Sequence, residues 1–190
     1  MNFWKNLEKP IIGLSPMDGV SDSSFRFITA KYGKPDVITT EFISVDGIAY
    51  GAKNIFNDFI YHEIERPIVA QLFGIEPEYF YLGAQIVCEL GFEGVDINMG
   101  CPAKTVARRG AGAGLIQNPE LAREIIRATK RGVVDWFEFG LSKSLNKKTL
   151  RELSSIKNTL AELGTKFDKE KRIIPVSVKT RIGYDQEIVE

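Results

Sequence analysis

The residue types best suited to chemistry lie close together in residues 93–114. Residues 94–97 form a short apolar run that predicts a buried strand, and a polar loop containing Asn98, Cys101 and Pro102 follows directly. A strand that ends in a loop gives reactive groups a rigid support, so this amide and thiol are placed to act on a bound substrate. Pro102 restricts Cys101 to extended conformations, which holds the thiol in one orientation.

Two interpretations of Cys101 remain open at this point. A lone cysteine is most often a buried, inert side chain in an ordinary strand-to-helix loop. A thiol with a pKa near ~8.5 is still protonated at neutral pH, so an accessible Cys101 could donate a proton. Arg108 and Arg109 follow within reach of an anionic substrate. If basic side chains lie close to the sulfur, they favour the thiolate instead.

Three further clusters fall at the carboxyl ends of predicted strands. They are Pro16-Met17-Asp18 after a first strand, Gln71 in a third, and Lys179 with Arg181 after a fifth. Parallel barrels place their active sites at this end of the strands, so the clusters are expected to meet. Gln71 could equally be a buried amide bonded to backbone. Lys179 alternates with Val176 and Val178, which favours an inward-pointing lysine in a buried strand.

The elements that must position these side chains alternate along the chain. Apolar runs predict strands at residues 11–15, 36–40, 67–72, 94–97 and 173–179. Capping residues and helical spacing predict helices after the first four strands, with starts at Ser21 or Asp22, near Ser44, at Pro77 and at Asn118. This order predicts an α/β fold with a parallel sheet. Since a closed (β/α)8 TIM barrel needs ~200 residues or more, residues 1–190 are interpreted as one partial barrel, truncated after about strand five.

Residues 133–170 interrupt that alternation. Residues 133–144 are aromatic and predicted to be irregular, whereas residues 149–163 carry an amphipathic helix. We interpret the segment as an insertion whose apolar stripe packs on the outside of the barrel.

Composition limits the function classes. The chain has 25 Lys and Arg residues and 25 Asp and Glu residues, so it has no net positive charge that would indicate nucleic-acid binding. Any contact with RNA must therefore come from local basic clusters. Two cysteines, Cys88 and Cys101, form neither a disulfide framework nor a metal site by spacing, which favours a reducing compartment. The start lacks a signal sequence and no apolar run is long enough to span a membrane. We expect a cytoplasmic protein with no metal and no membrane.

Four strings resemble the tRNA-dihydrouridine synthase family in sequence and order. They are S-P-M-D-G-V-S-D-S-S-F-R at 15–26, V-A-Q-L-F-G at 69–74, N-M-G-C-P at 98–102 and V-S-V-K-T-R-I-G at 176–183. The resemblance implies a flavin-dependent barrel that reduces uridine to 5,6-dihydrouridine in tRNA. FMN would be its cofactor, NAD(P)H its reductant and tRNA its partner, with a monomeric full-length protein.

The resemblance also assigns roles to the residues already singled out. FMN would be contacted by Pro16, Met17, Asp18 and Gln71, with Lys179 near N1 and O2 of the ring. Asn98 and Arg181 would bind the uracil or the adjacent phosphate, and Cys101 would be the general acid. The exposed cations expected to hold tRNA phosphates are Lys104, Arg108 and Arg109.

Two alternatives to this assignment remain. One is an FMN barrel that oxidises or reduces a free small molecule, of the dihydroorotate or dihydropyrimidine dehydrogenase type. The other is an inactive fragment, because strands six to eight, their phosphate-binding loops and the family's C-terminal helical RNA-binding domain are missing. On this ground the chain alone is expected to bind FMN weakly and to lack turnover.

Overall fold

Five parallel strands form the sheet of this computed structural model, which describes residues 2–166 and 171–184. Each strand pairs with the next strand along the chain, so the spatial order is also the sequence order. The sheet curls into a half-barrel with helices outside it, as expected for part of an α/β TIM barrel. The strands are β1 (Gly13–Leu14), β2 (Val37–Ser44), β3 (Ile68–Phe73), β4 (Gly94–Met99) and β5 (Val176–Thr180).

Seven α-helices cover the sheet in the described part of the chain. Short 3-10 turns at Phe3–Asn6, Asn57–Phe59, Glu63–Glu65 and Gly112–Gln117 complete the connections. The helices are α1 (Ser23–Gly33), α2 (Val45–Tyr50), α3 (Lys53–Phe56), α4 (Pro77–Glu89), α5 (Lys104–Ala107), α6 (Pro119–Phe139) and α7 (Lys147–Glu162). None of these helices is long and apolar enough to cross a membrane.

The core lies between the sheet and the helices that cover it. Ile68, Leu72 and Ile86 are completely buried there. Helices α4 and α6 approach each other closely at Gly132, where an added Cβ would lie only 2.4 Å from the carbonyl oxygen of Tyr81. This packing fixes the helical layer against β3 and β4, the strands that carry Gln71 and Asn98.

The predicted strands are all present, with shifted ends. Strand β1 is only two residues long, whereas β2 continues four residues beyond the predicted 36–40. Asp22 caps α1, and Asn118 caps α6 with Pro119 in the first turn, as predicted. The loose helical segment after β2 is the pair α2 and α3.

The prediction that residues 133–144 are irregular was wrong for their first half. Helix α6 runs on to Phe139 because Ile125, Thr129, Val133 and Trp136 continue one buried face at helical spacing. The Trp136 indole also donates to Oε2 of Glu89 at 2.8 Å, which ties the last turns of α6 to α4. Periodicity alone does not predict such a tertiary contact.

The amphipathic helix predicted at residues 149–163 is confirmed as α7. Leu153, Ile156 and Leu160 are buried on one face. The opposite ends of the stripe, Leu150 and Leu163, are exposed. The helix packs against α2 and α3 on the outer layer, and its interpretation as an insertion stays a prediction.

The prediction that β5 is a buried strand was also wrong. Residues 176–177 are half-buried, and Val178, Lys179 and Thr180 are exposed. Among the described residues β5 pairs only with β4, so its other edge is open to solvent.

Candidate active site

A cavity of about 530 Å³ opens at the carboxyl ends of the strands. Loops after β1, β4 and β5 contribute to its wall, and β2 contributes Phe42. The structure therefore brings together most of the residues that the sequence singled out. The predicted site residues that line it are Pro16, Asp18, Gln71, Asn98, Cys101, Lys179 and Arg181.

Strand register explains why these side chains share one face. Gln71 on β3 pairs with Asp96 on β4, and Asp96 pairs with Ser177 on β5. Asn98 pairs with Lys179 two residues further along. Because side chains alternate along a strand, positions two apart point to the same side of the sheet. The polar positions of three strands therefore form two adjacent rows, of which Gln71, Asn98 and Lys179 line the cavity.

The first row is joined by side-chain hydrogen bonds. The Ser177 hydroxyl donates to Oδ1 of Asp96 at 2.7 Å, and Nε2 of Gln71 donates to Oδ2 at 2.7 Å. Nδ2 of Asn98 in turn donates to Oε1 of Gln71 at 3.0 Å. Gln71 is 0% exposed, and Asp96 and Asn98 are also buried. The first row and Asn98 thus form a continuous series of hydrogen-bonded side chains inside the protein, which we call the polar chain.

Asn98 connects this chain to the loop that carries the thiol. Its Oδ1 accepts the backbone N–H groups of Gly100 at 3.1 Å and Cys101 at 3.0 Å. From the other side, the Cys101 carbonyl accepts the N–H of Ala113 at 3.0 Å. An added Cβ at Gly112, whose φ is +56°, would lie 2.8 Å from that carbonyl oxygen. The glycine-rich turn therefore packs directly against the Cys101 backbone.

The two cysteines have different surroundings. Cys101 is half-buried and lines the cavity together with Gln71 and Lys179. Cys88 is buried in α4, and burial raises the pKa of its thiol far above the ordinary value. Cys101 is thus the accessible thiol of the pair, as its interpretation as a reactive group requires.

Asp96 and Ser177 are site residues that the sequence reasoning missed. Burial raises the pKa of Asp96, while hydrogen bonds from Ser177 and Gln71 and the charge of Lys179 oppose that rise. A signal for Asp96 did exist in the sequence, because a carboxylate inside a buried apolar run must find polar partners. Its partners lie on two other strands and follow only from the register.

The loop after β1 is held by Ser21. The Ser21 hydroxyl accepts the Met17 N–H at 2.8 Å and donates to the Met17 carbonyl at 3.1 Å. Pro16 and Asp18 line the cavity, whereas the Met17 side chain is exposed and is not part of its wall.

The predicted basic cluster lies outside this cavity wall. Lys104, Arg108 and Arg109 are all exposed, on α5 and just after it. Arg109 lines a second, smaller cavity of about 200 Å³, together with Asp46 and Glu76. The structure therefore does not bring the three cations into the wall that Cys101 shares with Gln71.

A curled parallel sheet whose polar side chains meet at the carboxyl ends of its strands is the architecture of a β/α-barrel enzyme. Comparison with known proteins gives the family. Residues 13–136 match the family model described as dihydrouridine synthase (Dus). The chain belongs to the dihydrouridine synthase family.

Curated relatives agree with that assignment. The chain is 40% identical to a probable tRNA-dihydrouridine synthase of Staphylococcus aureus (strain COL) over 133 residues, which cover 69% of this chain and 40% of the relative. It is 37% identical to the probable tRNA-dihydrouridine synthase 2 of Bacillus subtilis (strain 168) over 196 aligned residues, or 95% of this chain and 59% of the relative. The chain thus spans between 40% and 59% of the length of these two relatives.

Proposed function

We propose that this chain forms part of the catalytic barrel of an enzyme that reduces uridine in tRNA to 5,6-dihydrouridine, with FMN as cofactor and NAD(P)H as reductant. The observation that carries the proposal is the meeting of Gln71, Asn98, Cys101 and Lys179, from three neighbouring strands, at one cavity. The names of the curated relatives support the same reaction.

The cavity suits a flavin in size and in polarity. A volume of about 530 Å³ falls within the ~300–1,000 Å³ typical of cofactor sites. Gln71 uses one Nε2 hydrogen on Asp96 and keeps the second for a ring heteroatom. Lys179 lines the same wall, where a cation would stabilise negative charge on the N1 and O2 edge of the ring. Pro16, Met17 and Asp18 would contact the ring through the backbone of the loop after β1.

Reduction of uracil needs a hydride equivalent at C6 and a proton at C5. FMN, when bound, supplies the hydride equivalent. Cys101 supplies the proton, because it is the accessible thiol at this cavity and Pro102 and Asn98 restrict its backbone. The proton leaves Sγ for C5 as negative charge develops on the pyrimidine, and the thiolate is reprotonated from solvent.

Asn98 and Arg181 are proposed to hold the substrate. Asn98 gives one Nδ2 hydrogen to Gln71 and both of its oxygen lone pairs to backbone N–H groups. Its second Nδ2 hydrogen remains for a uracil carbonyl oxygen. Arg181 is exposed at the mouth of the cavity, where its guanidinium can pair with the adjacent phosphate.

The exposed cations outside the cavity wall are assigned to the tRNA backbone. A uridine inside folded tRNA must be unstacked to reach a cavity, and phosphate contacts hold the strand while it is extruded. Lys104, Arg108 and Arg109 lie on the loop and helix that follow Cys101 and are free of the polar chain around it. We assign them to phosphates on either side of the target nucleotide.

We also propose that the 190-residue chain alone binds FMN weakly and does not turn over. The exposed residues of β5 include Lys179, so one side of the cavity is open to solvent. Purified chain that is yellow and stoichiometric in flavin would contradict this.

The experiment is complementation of a bacterial strain that lacks its own dihydrouridine synthases with the complete reading frame that contains this chain. We expect dihydrouridine to reappear in tRNA with the wild type and with Cys88→Ala, and not with Cys101→Ala. The absence of dihydrouridine in every case would contradict the proposal. Reduction of free uracil by the purified protein, without any change in tRNA, would favour the small-molecule dehydrogenase instead.

A further inference from the structure

The hydrogen bonds of the polar chain all run in one direction, which depends on how the amide side chains are oriented. Gln71 and Asn98 each carry a terminal amide whose oxygen and nitrogen occupy nearly equivalent positions, so either side chain could be turned by 180°. Only one combination presents Oδ1 of Asn98 to the backbone N–H groups of Gly100 and Cys101. Something must therefore select that combination.

Within the polar chain, Asp96 lies beyond Asn98 and Gln71 as seen from these backbone groups. Both oxygens of Asp96 accept a hydrogen bond, Oδ1 from Ser177 and Oδ2 from Gln71, so this group acts as an acceptor and the Gln71 amide turns its Nε2 toward it. Oε1 of Gln71 then faces Asn98, so Asn98 must donate a hydrogen bond to it from Nδ2. Oδ1 of Asn98 is thereby left for the two backbone N–H groups of the loop. Each orientation follows from the one before it.

Burial makes a reversed member costly. Gln71, Asp96 and Asn98 are at most 7% exposed, so water cannot readily replace a lost partner. A reversed amide would set oxygen against oxygen or N–H against N–H, and each buried mismatch costs about 1–3 kcal/mol.

We propose that Asp96 is a positioning residue: its carboxylate sets the direction of the chain through Gln71 and Asn98 and so holds the Gly100–Cys101 backbone at the cavity. Ser177 supports the carboxylate through Oδ1 without taking part in the selection, because Gln71 bonds the other oxygen. Asp96 thus acts on Cys101 across two intervening side chains. Its importance for turnover rests on the proposed function, whereas its effect on the loop does not.

The test is amide hydrogen exchange of Gly100 and Cys101, measured by NMR on the full chain. Asp96→Asn replaces the acceptor-only group by one that can also donate and weakens the bond to Gln71. We expect both amides to exchange about tenfold faster, which corresponds to the loss of a hydrogen bond. Ser177→Ala removes the other hydrogen bond to Asp96 and is the matched control. It should leave both rates within about twofold of the wild type.

A double variant separates direction from mere packing. In the double variant Asp96→Asn with Gln71→Glu, the carboxylate lies at position 71 on β3 instead of position 96 on β4. The new glutamate accepts a hydrogen bond from the new asparagine on one side and from Asn98 on the other. Asn98 then donates to residue 71 and accepts from the loop as in the wild type. Amide exchange at Gly100 and Cys101 should therefore return to within about twofold of the wild-type rates. The single variant Gln71→Glu sets two carboxylates face to face and should lower the stability of the protein.

Two outcomes would overturn the inference. One is Asp96→Asn with wild-type exchange at both amides, which would mean that the loop alone selects the direction. The other is a double variant that exchanges as fast as Asp96→Asn. In the complete enzyme, Asp96→Asn should lower kcat and leave KM for tRNA unchanged. Normal loop exchange with no tRNA reduction in any variant, the wild type included, would instead count against the proposed function.

Discussion

The guanidinium of Arg26 donates from Nε to Oε2 of Glu65 at 2.8 Å, and both side chains are almost completely buried. Arg26 also donates to the carbonyl oxygens of Ser21 at 2.9 Å and Ile60 at 2.6 Å. Since Ser21 holds the Met17 backbone through its hydroxyl, this ion pair anchors the loop after β1 that lines the cavity. The pair therefore joins the stability of the fold to the shape of the site.

Removal of Arg26 should be strongly destabilising. Arg26→Met leaves Oε2 of the buried Glu65 carboxylate without a partner and His62 as the remaining contact of Oε1, so we expect the free energy of unfolding to fall by about 3–5 kcal/mol. Chemical denaturation measures it. Arg123→Ala, which removes the exposed pair with Glu120, is the control and should change the free energy by less than about 1 kcal/mol. A loss below about 1 kcal/mol for Arg26→Met would mean that the contacts with His62 are enough to hold Glu65.

Asp58 should contribute more to the stability of the protein in acid than at neutral pH. Burial and then the charge of Glu41 raise the pKa of Asp58 from 3.8 to about 6. An acid whose pKa is raised on folding contributes stability below its unfolded pKa and loses it as the pH rises through the folded pKa. The penalty is therefore absent near pH 3 and complete above about pH 7.

Asp58→Asn removes that penalty. Because the side chain is only half-buried, solvent screening limits the gain to about 1 kcal/mol at pH 7.5, with none at pH 3. Denaturation at the two pH values measures it, with the exposed Glu124→Gln as control. A gain of equal size at both pH values would show that the effect is not one of charge.

Thiol labelling should distinguish the two cysteines. Iodoacetamide reacts with the thiolate, and burial both shields Cys88 and raises the pKa of its thiol. In the native protein at pH 8 we expect Cys101 to be alkylated at least about a hundredfold faster than Cys88, as measured by peptide mass spectrometry. In denaturant the two rates should converge. Labelling of Cys88 in the native protein at a rate comparable to that of Cys101 would contradict the buried position of Cys88 in α4.

The cations after Cys101 should determine the salt dependence of tRNA binding. Each phosphate contact releases counterions, so Arg108→Ala and Arg109→Ala should each reduce the slope of log K against log salt by about 0.7–1. The measurement is a titration of tRNA binding by the complete protein at several salt concentrations. Lys143→Ala, at an exposed position on the connection between α6 and α7, is the control. Unchanged slopes in both arginine variants would remove these residues from the RNA surface.

Local patterns in the sequence were sufficient for the order of the elements and for the end of the sheet at which the site lies. The apolar runs and the cap residues Asp22 and Asn118 are local signals, and the structure confirms them. The resemblance gave the family, which the comparison of residues 13–136 confirms. The parts that local patterns could not give depend on contacts between elements.

The polar chain shows why contacts between elements could not be predicted from local sequence patterns. Ser177, Asp96 and Gln71 are far apart in sequence and meet only because parallel pairing sets them in one row. The hydrogen bond from Trp136 to Glu89, which ties the last turns of α6 to α4, likewise joins residues far apart in sequence. Lys179 was expected inside a buried strand, yet it reaches the same cavity from an exposed edge.

The most direct test of the account is the single-turnover oxidation of reduced flavin by tRNA in the complete enzyme. If Cys101 gives the proton to C5, Cys101→Ala should slow flavin oxidation by about 10²–10⁴-fold, while Cys88→Ala keeps the wild-type rate. Flavin absorbance follows the rate, and tRNA lacking dihydrouridine is the substrate. A Cys101→Ala enzyme that oxidises its flavin at the wild-type rate and forms dihydrouridine would contradict the central claim.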